Sequence, residues 1–115
     1  MLMKTKAGLL VMLFLFPVFL LAHAPKKVVL SYNKDSKKLS MVINHPVANA
    51  SNHYINEIII SVDGKEVKTI KPVSQSSTKD ETMEVAIPEI KSGSKVSVKA
   101  TCNKIGSKTT KLTVK

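Results

Sequence analysis

From Lys27 onward, apolar and polar residues alternate in short runs, and the runs are separated by glycine, proline, asparagine and aspartate. A two-residue period bounded by turn-forming residues predicts half-buried β-strands rather than helices. Seven strands follow, near Lys27–Tyr32, Lys38–Asn44, Asn56–Val62, Lys65–Lys71, Thr82–Ile87, Ser94–Thr101 and Lys108–Val114. Leu39, Met41 and Ile43 share one face of the second, and Val96 and Val98 share one face of the sixth, so each sheet can turn an apolar side inward. Much of the lysine falls on the opposite faces. Asp63-Gly64 between two apolar runs is the signal of a two-residue hairpin, because both positions tolerate positive φ. Gly93 and Gly106 mark later turns, and Pro88, with no N–H for a ladder, ends the fifth strand. Pro46–Asn52 and the polar Ser74–Glu81 read as loops. The expected fold is all-β, a seven-stranded antiparallel immunoglobulin-like β-sandwich over residues 23–115.

The first 22 residues follow a different pattern. Lys4 and Lys6 precede an apolar run from Gly8 to Ala22 that is about 15 residues long, short of the ~20 a bilayer span needs, and Pro17 interrupts it. This is the layout of a secretory signal peptide, with cleavage after Ala22 or after Ala24, and it predicts export to a bacterial periplasm or beyond. Cleavage leaves no stable membrane span; an uncleaved leader would act as an anchor. The choice of site matters, since cutting after Ala22 makes His23 the first residue and cutting after Ala24 removes it.

Composition narrows the function. The 115 residues carry 18 lysines and no arginine against 8 carboxylates, a formal charge of +10. A domain this small has no room for a dinucleotide-binding sheet or a barrel enzyme, and it has no glycine-rich phosphate loop. The absence of arginine and tryptophan, with all three phenylalanines in the leader, argues against nucleic-acid binding. The lysine charge reads either as a field that would steer a small anion or as a solvated basic surface. No intramolecular disulfide is open to a chain with one cysteine, so Cys102 in an exported protein calls for another use.

His23, His45, His53 and Cys102 are the strong transition-metal ligand types in the chain, carboxylates aside. His45 and His53 stand at the two ends of one loop, His23 just before the first strand, and Cys102 where the sixth strand ends. The loops at one end of a sandwich converge, so these four can meet. Each also has a plainer reading, as a solvated loop histidine or a small buried thiol.

The run His45-Pro46, then Asn52-His53-Tyr54-Ile55-Asn56-Glu57-Ile58 and Val62-Asp63-Gly64-Lys65, resembles the central motif of the desulfoferrodoxin and superoxide reductase family. Cys102-Asn103-Lys104-Ile105-Gly106 resembles that family's Cys-Asn-x-His-Gly turn, and His23-Ala24-Pro25 its leading His-x-Pro. The resemblance implies the same sandwich fold and a mononuclear non-haem iron held by histidines in a plane and an axial cysteine thiolate. It implies reduction of superoxide to hydrogen peroxide with electrons from a separate donor. On this chain, His23, His45 and His53 match the equatorial histidines and Cys102 the axial thiolate. Ile105 stands where the family has its fourth histidine, Ala22 where it has a lysine, Leu21 where a glutamate often precedes that lysine, and Asn52 where it has the motif glutamate. An amino-terminal His23 would offer its α-amine beside its imidazole, which equally suits copper in an exported carrier that leaves Cys102 unused. Without metal, the chain would be a structural or carrier sandwich.

Overall fold

The computed structural model describes residues 24–115; residues 1–22, expected to be a signal peptide, and His23 lie outside the described residues. Seven strands form in chain order: β1 (Lys27–Asn33), β2 (Lys38–Asn44), β3 (Ile55–Val62), β4 (Lys65–Ile70), β5 (Asp80–Ala86), β6 (Lys95–Cys102) and β7 (Ser107–Thr113). Each expected strand is present, and its ends differ from expectation by two residues at most. All pairings are antiparallel, in one sheet of order β1-β2-β5 and another of order β4-β3-β6-β7. Among the described residues there is no helix, and so none long and apolar enough to cross a membrane.

The β3–β4 turn shows why the sheets divide as they do. Asp63 has φ of 51° and Gly64 of 83°, and Val62 pairs directly with Lys65. A two-residue turn with both residues left-handed matches the twist of adjacent strands and leaves no slack for crossing over, so β4 must lie beside β3. Longer connections make the crossings between sheets. Those from β2 to β3 (residues 45–54) and from β4 to β5 (residues 71–79) lie at one end of the sandwich, together with the β6–β7 turn and the lead-in to β1.

Between the sheets lie Leu39, Met41 and Ile43 from β2, Ile58, Ile60 and Val62 from β3, and Val96, Val98 and Ala100 from β6, all buried. Val28 joins them from β1, while Ile87, Ile90 and Val114 pack into the same cluster. Burying such a side chain contributes roughly 1.5–3 kcal/mol, so this layer of branched aliphatics is the main favourable term for so small a fold. One expectation needs correction. Asp80 and Glu81, read as the end of a polar loop, are the first residues of β5. Glu81 is buried opposite Ile43, where the Ser76 hydroxyl (2.7 Å) and amide (3.2 Å) both donate to its carboxylate, so a position with core alternation is filled by an acid.

Candidate metal centre

The last residue of β2 is Asn44, and the chain turns out of the sheet at His45. Its amide donates to the Lys79 carbonyl (3.0 Å), which holds it against the 71–79 connection. Its imidazole is almost fully buried, at 1% exposure. Gln75 is buried beside it: Gln75 Oε1 is 2.8 Å from His45 Nδ1, and Gln75 Nε2 donates to the carbonyls of His45 (2.7 Å) and Ser77 (3.0 Å).

His53 ends the same connection. Asn49 organises the local turn, its side chain accepting from the Ser51 amide at 2.8 Å and its carbonyl from the His53 amide at 3.0 Å. The half-buried His53 ring then meets His45 edge to face, with centroids 4.9 Å apart and planes at 85°.

Cys102 closes β6 opposite Ile55. The ladder shifts there, with Asn56 as the extra residue between Ile55 and Glu57, and such a bulge re-aims side chains at the end of a sheet. The thiol is buried and in no disulfide, and its sulfur accepts from the Lys104 amide at 3.4 Å. Asn103 fastens this turn to the histidine loop three ways. Its amide donates to the Tyr54 carbonyl (2.9 Å), its Oδ1 accepts from the Tyr54 amide (2.9 Å), and its Nδ2 donates to the Asn52 carbonyl (3.0 Å).

One ligand atom from each of His45, His53 and Cys102 lies within 4.8 Å of the other two. Two ligands on opposite sides of one ion stand about 4.4 Å apart, from bonds of ~2.1 Å to nitrogen and ~2.3 Å to sulfur. Only one pair among three ligands can be opposed, and adjacent ones stand about 3–3.6 Å apart, so the side chains would close by roughly 1–2 Å on a shared ion; two imidazoles with a thiol are a donor set for a transition metal rather than for calcium or magnesium.

Three of the four residues singled out in the sequence thus come together. His23 lies outside the described residues, but the chain next to it is well placed. The Lys26 amide donates to the carbonyl of Asn44 (2.8 Å), the neighbour of His45, and Ala24 packs on Gly106, whose carbonyl accepts from the Cys102 amide (2.9 Å). Ile105 is 45% exposed, which agrees with a residue that coordinates nothing. Gln75 escaped the sequence reading, because nothing in its polar loop sets it apart from its neighbours. No protein-family model matches this chain, and no curated protein is significantly similar to it.

Proposed function

We propose that the protein is an exported mononuclear metal-binding protein of desulfoferrodoxin type, with iron held by His45, His53, Cys102 and His23, and that it reduces superoxide to hydrogen peroxide. The observation that carries the reading is the convergence of His45, His53 and Cys102 from two separate loops, with a buried thiol that already accepts an amide hydrogen bond. Bound iron would supply the one-electron chemistry. The chain's own residues would supply a thiolate donor stabilised by the Lys104 amide, imidazoles fixed by their loops, and an approach attractive to anions.

The charge layout supports that approach. The four segments around the cluster, residues 24–26, 45–54, 71–79 and 103–106, contain Lys26, Lys71, Lys79 and Lys104 and no carboxylate. Just beyond them, Asp80 and Glu81 are engaged by Ser77 and Ser76. At the opposite end, the turns 34–37, 63–64 and 87–94 balance Lys34, Lys37 and Lys91 against Asp35, Asp63 and Glu89. Four lysines against Asp80 and Glu81 leave an excess of positive charge in these segments, which would raise the encounter rate of an anion such as superoxide.

The test is a native mass spectrum of the protein exported by a bacterial host and handled without oxygen, followed by superoxide consumption on rapid mixing. One iron per chain beginning at His23, lost in Cys102→Ala, together with superoxide consumption by the iron-loaded form, is the expected result. One copper that survives Cys102→Ala would replace this reading with the copper carrier. A chain beginning at Pro25 that takes up no metal would leave a metal-free sandwich.

A further inference from the structure

Gln75 makes three side-chain hydrogen bonds, and together they fix its orientation. Both protons on Nε2 are used, one on the carbonyl of His45 and one on that of Ser77. Turning the amide over would set its oxygen against two carbonyl oxygens, so Oε1 must be the atom 2.8 Å from His45 Nδ1. An amide oxygen only accepts, and the nitrogen facing it must therefore carry the proton. In neutral His45 the lone pair is then on Nε2.

We propose that Gln75 is the positioning residue of the metal centre: it locks His45 as the Nδ1–H tautomer and so assigns Nε2 as the metal-ligating atom. This rests on the metal reading above and deepens it. The grip extends to the backbone, since Gln75 also holds the His45 carbonyl, and the Gln75 amide donates to the Ala50 carbonyl (2.9 Å) inside the loop that carries His53. One residue 30 positions from His45 thus ties the ligand's ring and backbone through its side chain, and the second histidine's loop through its own amide. A histidine whose far nitrogen donates to a fixed oxygen is oriented and made a stronger donor before any ion arrives.

Cobalt(II) serves as probe, with the protein recovered as its host processes it. Nitrogen-15 spectra of the metal-free protein should show His45 with Nδ1 protonated and no proton on Nε2. Cobalt affinity should fall about 10- to 100-fold in Gln75→Met, which removes the acceptor. Gln75→Glu retains an acceptor for Nδ1–H but sets a carboxylate oxygen against the His45 and Ser77 carbonyls, so it should keep the proton on Nδ1 while losing cobalt affinity about as far as Gln75→Met does. The proposal is overturned if wild-type His45 carries its proton on Nε2, or if Gln75→Met binds as well as wild type. It is equally overturned if His45 in Gln75→Glu carries no proton on Nδ1. Should Gln75→Met fail to fold, the wild-type tautomer decides. A wild-type protein that shows the Nδ1–H tautomer yet takes up no cobalt would sink the metal reading instead, which keeps the two failures distinct.

Discussion

A Cβ added to Gly106 would stand 2.8 Å from the Cβ of Ala24 and 3.0 Å from its Cα. The close approach joins the lead-in of the chain to the turn that begins at Cys102, and only glycine permits it, since φ at 106 is also +96°. Gly106→Ala should therefore cost roughly 1–3 kcal/mol of stability in urea unfolding. It should also push Ala24 off the turn and lower metal affinity by taking His23 with it. A variant that loses stability while binding metal as before would separate His23 from the site.

Asn103 connects the two loops that carry the ligands. Asn103→Ala removes both side-chain bonds and leaves the Tyr54 amide and Asn52 carbonyl to find water. A loss of about 1–3 kcal/mol is expected. Amide exchange at Tyr54 should accelerate, and cobalt affinity should fall although no ligand has changed.

Ile60 supplies the converse. It is fully buried in mid-β3 opposite Val98, well away from the loop end of the sandwich. Ile60→Ala should destabilise the fold by about 2–5 kcal/mol. Metal affinity measured under conditions where the variant stays folded should be unchanged, because distant sites act independently.

Salt should separate steering from chemistry. The rate of superoxide consumption should drop as ionic strength rises past 0.1 M, where the screening length is about 10 Å. Lys104→Gln should lower the low-salt rate by about a factor of two or more, a small share of what steering can supply, and flatten the salt dependence. Lys37→Gln, at the balanced end, should change neither.

The strands were legible because β2 and β6 carry their apolar residues at every second position, and the Asp63-Gly64 hairpin because few dipeptides accept two positive φ angles. His45, His53 and Cys102 were legible as ligand types, and their meeting followed from the way loops converge in a sandwich. Gln75 and Glu81 were not. Each sits in a serine-rich stretch that reads as solvated, and what buries them is a set of bonds to partners such as His45, which is 30 residues away and leaves no period in the sequence. The β-bulge at Asn56 was hidden for a related reason: an extra residue shows only against the register of the partner strand.

The loop of residues 45–54 donates to or accepts from both of its neighbours, through Gln75 and Ala50 on one side and Asn103 and Tyr54 on the other. Loops tied in this way open together rather than one by one, as a single cooperative unit. The amides of His53, Gln75 and Asn103 should then exchange with solvent at a common rate. Whatever binds to one ligand slows all three, so occupancy of the centre can be followed from backbone positions that never touch it.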